Sequence, residues 1–149
     1  MKINVNLLLV SFCTIFACFG MQSQSIFGKW QVTNDAGKVN SIIEIYENGG
    51  EVAGKVVRIM KEEDRDQTCD KCSGELKDKP IEGLEVISGF EKDGEEYTGG
   101  TLIDPKSGKE YKGRIWLDEN DPNKLNVRGY IAFFYKTKIW ERAKNHFDI

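Results

Sequence analysis

The stretch GGTLIDPKSGKEYKGRIWLDENDPNKLNVRGY, residues 99–130, decides the fold class because it reads as three strands joined by two tight turns. Apolar or small residues alternate with polar or bulky ones along 111–118 and 125–131. A repeat of two residues places alternate side chains on opposite faces of a β-strand. The segments 105–108 and 120–123 carry the Pro, Gly, Asn and Asp residues that form turns. The stretch therefore predicts an antiparallel meander.

The same pattern continues on both sides of this meander. Strands are predicted at 28–32, 39–47, 51–60, 86–87, 97–103, 111–117, 125–131 and 133–142, with turn residues between them. Short strands at this spacing, without a helical repeat, are typical of an all-β barrel or sandwich. Because closure removes exposed strand edges, we expect an antiparallel up-and-down β-barrel of about eight strands.

The N-terminal segment has the features of an export signal. Lys2 precedes an apolar or small stretch, Leu7–Gly20, which is short for a membrane span. Residues 1–25 are therefore interpreted as a signal peptide, cleaved between Gly20 and Ser25, and residues 26–149 as one domain. The alternative is a lipoprotein signal, which would attach the protein to a membrane through a lipid anchor on Cys18. Either signal predicts export, to the periplasm or the extracellular space.

The composition argues against one class of partner. The chain has 149 residues, of which 40% are hydrophobic and 30% charged, and this fits a single globular domain. Its 21 basic and 24 acidic residues give a formal net charge of −3. Nucleic acid is not an expected partner, since phosphate binding needs a clustered excess of Lys and Arg.

Cys69 and Cys72 are the cysteines that remain after removal of the leader. In an oxidising compartment such a pair is by default a disulfide. The alternative is a thiol redox pair, but that chemistry needs a cysteine at a helix N-terminus, and no helical pattern follows Cys72. Zinc would need further ligands, and His146 is the only histidine. We therefore expect no metal, no cofactor and no catalytic residue, since no nucleophile is spaced with a base, and the protein is not predicted to be an enzyme.

Several short motifs resemble known families. Gly28 and Trp30 on the first strand and Arg142 on the last resemble the closed end of lipocalin-like (calycin) barrels, where a basic side chain covers a first-strand Trp. More closely, the chain resembles the bacterial domain-of-unknown-function family 2147, through motifs at 28–30, 54–56, 69–72, 80–84, 104–105, 108–111, 127–130 and 140–142. The resemblance implies a lipocalin-like barrel closed by Gly28, Trp30 and Arg142, and it brings no activity. Residues 132–137 depart from the family's glycine-rich pattern and predict a bulkier barrel end.

The sequence leaves two roles for the barrel open. A hollow barrel would bind a small apolar or amphipathic molecule, and the inward candidates for this are Val56, Tyr111, Ile115, Val127, Ile131 and Phe133. A filled barrel would be an envelope structural or protein-interaction domain, with the Cys69–Cys72 loop as its contact surface and an unknown partner. Glycines in phase with the apolar residues either bend the strands or leave volume for a ligand; these are Gly54, Gly113 and Gly129.

One polar cluster also allows two interpretations. Arg128 and Tyr130 share a face, with Arg114 and Trp116 one strand away. They predict either an outer face on which Arg stacks on Trp, or an anion site at the barrel mouth.

The leader generates the first testable prediction. The protein isolated from its own cells should begin between Met21 and Ile26, because signal peptidase removes the apolar segment. Mass spectrometry of the intact protein measures this directly. Acylation of Cys18 would favour the lipoprotein alternative, and an intact Met1 would contradict export.

Overall fold

Eight antiparallel strands make up most of the residues that the computed structural model describes, 24–144. In chain order, β1 to β8, they are Gly28–Thr33, Val39–Asn48, Glu51–Ile59, Glu85–Asp93, Glu96–Asp104, Lys109–Leu117, Lys124–Ile131 and Phe134–Arg142. Each strand pairs with the next, and β8 returns to β1 to close the barrel. The predicted all-β, antiparallel up-and-down barrel of eight strands is confirmed.

The seam between β1 and β8 is much shorter than the neighbouring pairing. Trp30 with Arg142 and Gln31 with Glu141 are the pairs across it, whereas the β7–β8 ladder runs from Lys124–Glu141 to Ile131–Phe134. The β7–β8 hairpin therefore extends well past the point where β1 stops pairing. Residues 134–139 consequently keep one strand edge without a paired strand in the described part of the chain.

The half of the barrel nearest the start of β1, called the closed end here, is packed with inward-facing side chains. Trp30, Phe90, Ile115 and Leu125 all have 0% of their surface exposed. They come from β1, β4, β6 and β7, so strands around the whole circumference fill this layer. Each such burial contributes about 1.5–3 kcal/mol relative to an exposed side chain, and the layer forms the centre of the core.

The inward-facing glycines make room for neighbouring side chains. A Cβ on Gly113 would lie 2.5 Å from Cζ of Phe90 and 2.8 Å from Cγ of Leu102, and one on Gly129 would lie 3.3 Å from Cβ of Tyr111. At Gly54 the corresponding neighbour is Ile87. The volume beside each of these glycines is thus occupied by a side chain of the same chain, and the interpretation that it is reserved for a ligand is wrong.

The long connection between β3 and β4 folds onto the opposite end of the barrel, the open end. It contains two short 3-10 turns, Glu62–Asp64 and Gly74–Leu76, and the disulfide between Cys69 and Cys72. Both cysteines are buried in the hydrophobic core. The carbonyl of Lys71 lies directly against Gly108 in the β5–β6 turn, where a Cβ would overlap it. The two sulfur atoms thus pack against the barrel, whereas Asp70 and Lys71 between them are exposed, and the role of this loop as a contact surface stays a prediction.

The contact between Gly113 and Phe90 gives a prediction for core packing. Gly113→Ala should lower the free energy of unfolding by about 1–3 kcal/mol, because the added methyl overlaps the fully buried ring. Urea denaturation of Gly113→Ala, Phe90→Leu and the double variant measures the coupling between the two sites. We expect the cost of Gly113→Ala to fall sharply in the Phe90→Leu background. Simple additivity of the two costs would show that the ring does not occupy this space.

Candidate functional site

The closed end is sealed by Arg142 over Trp30. The guanidinium carbon of Arg142 lies 4.2 Å from the centroid of the Trp30 ring, within the reach of a cation–π contact, about 6 Å. The Trp30 indole N–H donates to the carbonyl of Ile26 at 2.8 Å. The ring therefore has both its face and its polar atom occupied, which accounts for its complete burial.

The Arg142 side chain joins β8 to two other segments, the one before β1 and the β6–β7 connection. Its guanidinium donates to the carbonyl oxygens of Ser25 at 2.7 Å, Phe27 at 3.1 Å and Pro122 at 3.3 Å. Partial burial lowers the pKa of Arg142, although a guanidinium stays protonated in proteins. Gly28 has a φ of 116°, which favours glycine, and a Cβ there would lie 3.4 Å from Nη1 of Arg142. These contacts are structural, because the guanidinium N–H groups that make them donate to carbonyl oxygens of the protein itself.

A cleft opens where β1 and β8 separate, and it runs from Trp140, the cross-strand partner of Leu125, toward the open end. It has a volume of about 150 Å³ and is lined by Thr33, Asn34, Asp35, Lys136, Lys138, Ile139 and Trp140. The lining combines the β1–β2 turn with the part of β8 that no longer pairs with β1. The short seam therefore creates this cleft.

The cleft contains unsatisfied polar groups. The Trp140 indole N–H is buried and has no hydrogen-bond partner. The residue as a whole is 7% exposed. The side-chain amines of Lys136 and Lys138 have no hydrogen-bond or ion-pair partner among residues 24–144, and both residues are exposed. Lys138 lies two residues before Trp140 and Lys136 lies four residues before it, so both share its face of β8. An oxygen-rich anion is the ligand class that complements two cations and an N–H donor.

The outer face of β6–β8 carries a stacked cluster of arginines and aromatic rings. Arg128 lies 5.0 Å from the Trp116 ring and 4.3 Å from the Tyr135 ring, and it donates to the hydroxyl of Thr137 at 2.7 Å. Arg114 stacks on Trp116 at 5.5 Å and pairs with Glu96. Both arginines are thus engaged by groups of the protein itself, which favours the interpretation of an outer stacking face over an anion site.

The structure separates the predicted ligand-binding residues into two groups. Val56, Ile115 and Val127 are buried in the core, and Tyr111 is partly buried against Gly129. Ile131 and Phe133 are 49% and 98% exposed, so the expectation that they face the interior is wrong. Ile131 ends β7 at the rim of the barrel, and Phe133 is a turn residue because β8 begins at Phe134. Phe133, Phe134 and Tyr135 place large exposed side chains at this end of the barrel.

The cleft itself was not found from the sequence, although a signal for it exists. Lys136, Lys138 and Trp140 alternate in one phase of the last strand. A charged residue in phase with a core tryptophan indicates a place where the barrel interior meets solvent. That inference needs the length of the β1–β8 pairing, which the strand pattern alone does not give.

Other candidate features give no site in the part of the chain that the structure describes. Between residues 24 and 144 there is no group of three or more His, Cys, Asp and Glu side chains that could hold a metal. The same residues include no helix long and apolar enough to cross a bilayer. His146, Cys18 and the proposed signal peptide lie outside the described residues, as does the end of the predicted 26–149 domain.

The closed barrel with its Trp-Arg seal defines a lipocalin-like protein. A solved structure described as "Protein HP1028 from the human pathogen Helicobacter pylori belongs to the lipocalin family" matches with a TM-score of 0.70 at 18% sequence identity, covering 82% of this chain and 85% of that one. At this identity the likeness establishes the fold alone. The chain belongs to the family described as an uncharacterized protein conserved in bacteria (DUF2147), whose model matches residues 28–142. None of the curated proteins searched matches the sequence.

The closed end gives a prediction that ranks two contacts. Trp30→Ala should cost about 3–5 kcal/mol of stability, because it removes a fully buried aromatic side chain. Arg142→Ala should cost less, through lost packing and cation–π contact. Thermal and urea unfolding measure both, with Trp116→Ala on the partly exposed outer face as the matched tryptophan control. An unchanged midpoint for Trp30→Ala would contradict its place in the core.

Proposed function

We propose that this exported domain binds a small amphipathic anion, a carboxylate with a short apolar chain, at the open end of the barrel. The observation that carries the proposal is the cleft between β1 and β8, in which two unpaired lysines adjoin a buried tryptophan without a hydrogen-bond acceptor. The role is one of binding, and no chemical step is assigned to the site. Export is proposed from the apolar leader Leu7–Gly20.

The packing of the barrel directs a ligand to the open end. Trp30, Phe90, Ile115 and Leu125 fill the layer at the closed end, and displacing them would cost the core its main contacts. The cleft has about 150 Å³, which suits a head group with a few carbon atoms. A longer apolar chain would continue past the exposed ring of Phe134, which shares the face of Lys136 and Lys138.

The charge of the lining selects for an anion. Lys136 and Lys138 are opposed by a single acidic side chain in the lining, that of Asp35. A carboxylate beside the lysines would form charge-assisted hydrogen bonds, worth about 1.5–3 kcal/mol each. The partnerless Trp140 N–H adds a further donor, since leaving a buried donor unsatisfied costs about 1–3 kcal/mol.

The test uses decanoate and decanol as paired probes in isothermal titration calorimetry. We expect decanoate to bind and decanol to bind much more weakly, because the alcohol lacks the charge. The double variant Lys136→Ala/Lys138→Ala should lose at least about tenfold in affinity for decanoate. Lys92→Ala, an exposed lysine in the β4–β5 hairpin, is the matched control and should bind as the wild type does.

Three results would contradict the proposed function. The first is absence of decanoate binding to the wild type. The second is equal affinity for decanoate and decanol, which would show that the site does not recognise charge. The third is undiminished binding by the double lysine variant, which would place the ligand elsewhere on the protein.

A further inference from the structure

The tip of the β7–β8 hairpin exposes an unusual set of large apolar side chains. Phe133, Phe134 and Tyr135 are 98%, 79% and 63% exposed, and Ile131 is 49% exposed. Exposed single apolar residues are ordinary, but four in five successive positions form a contiguous apolar patch that points to an interaction site. We call residues 131–135 the aromatic tip.

The aromatic tip is held in place by the hairpin. The β7–β8 ladder is paired without a shift up to Ile131 and Phe134, and the turn consists of Ala132 and Phe133 alone. Tyr135 is further fixed by stacking on Arg128 and by contact with Tyr130, whose ring centroid is 6.1 Å away. Because the strands are paired to their ends, the exposed rings are presented at little cost in chain entropy.

The charge around the aromatic tip is positive, in contrast to that of the whole protein. Arg128, Lys136 and Lys138 lie on the two strands of the hairpin, and no acidic residue falls between Lys124 and Trp140. Lys112 of β6, paired with Tyr130, adds another positive charge beside the hairpin. The complete chain has a net charge of −3, so the hairpin is a local positive patch on an acidic protein.

We propose that the aromatic tip docks on a lipid bilayer that contains anionic lipids. Phe133 and Phe134 would enter the boundary between head groups and acyl chains, where aromatic side chains are favoured. Lys136 and Lys138, directly behind the rings, would contact lipid phosphates, each contributing about fivefold in affinity near an anionic surface. This docking does not depend on ligand binding in the cleft, which lies at the same end of the barrel and would face the membrane.

A bilayer fits the aromatic tip better than a second copy of the chain does. The patch combines exposed aromatic rings with neighbouring lysines, which matches the apolar and the anionic parts of a head-group region. A symmetric pairing of two tips would also bring Lys136 and Lys138 of both copies together, and like charges in contact repel.

Tryptophan reporters at the two ends of the barrel test the docking. Phe133→Trp places an indole at the aromatic tip, and the matched control Phe27→Trp places one at the closed end, where Phe27 is 37% exposed. Both variants of the full chain are mixed with phosphatidylglycerol-containing vesicles, with or without brominated acyl chains. We expect a blue shift and quenching for Phe133→Trp alone, and little change with phosphatidylcholine vesicles. Because the reporter senses its own surroundings, the result does not depend on how the N-terminus is processed.

Two further variants separate the apolar and the charged contributions. Phe134→Ser in the Phe133→Trp background should weaken the response, and Lys136→Ala/Lys138→Ala should weaken it by roughly twentyfold. An unchanged Phe133→Trp spectrum with anionic vesicles, or equal quenching of Phe27→Trp, would overturn the proposal. Concentration-dependent dimerisation in size-exclusion chromatography that Phe133→Ser abolishes, without a vesicle response, would instead assign the tip to self-association.

Discussion

The two residue pairs between β1 and β8 are the constraint on which the rest of the structure depends. These pairs are Trp30–Arg142 and Gln31–Glu141, and the pairing of β1 with β8 ends there. A closed sheet has no free edges in the closed part, and Arg142 reinforces that part by binding three carbonyl oxygens from two other segments. Beyond the seam the last strand runs on without β1, and this produces both the cleft and the projecting hairpin.

The packing of the interior explains why the functional candidates lie at one end. Phe90 crosses the lumen above Gly113, and the Trp30 ring is completely buried beneath Arg142. A protein interior is packed as densely as an organic crystal, so the closed end leaves no room for a ligand among these residues. At the open end the unpaired lysines of β8 and the buried Trp140 N–H remain without partners of the protein. The proposed site therefore lies along the seam, from Trp140, which pairs with Leu125 of the filled layer, toward the open end.

The strand pattern predicted the fold well, and its errors have a common cause. Alternation along 111–118 and 125–131 indicated the correct strands because Ile115, Leu125 and Val127 face the core in one phase. The polar residues of Glu91–Asp93 hid the second half of β4, since their side chains are exposed and the segment lacks an apolar face. The same reasoning predicted that Ile131 and Phe133 face the interior, and this was wrong because alternation does not show where the barrel interior ends.

The sequence by itself determined the fold class through the period-two strand pattern, and the disulfide pair through the two cysteines outside the leader. The family and the residues of the closed end followed from motifs between residues 28 and 142 that resemble known families. Only the tertiary structure decided which inward positions are filled, because the Phe90 ring reaches from β4 past β5 to lie against Gly113 of β6. Only the tertiary structure also showed that Lys136 and Lys138 border a cleft and that Phe133 and Phe134 project into solvent. These features depend on the length of the β1–β8 seam, and the register of two strands more than a hundred residues apart is set by packing of the whole core.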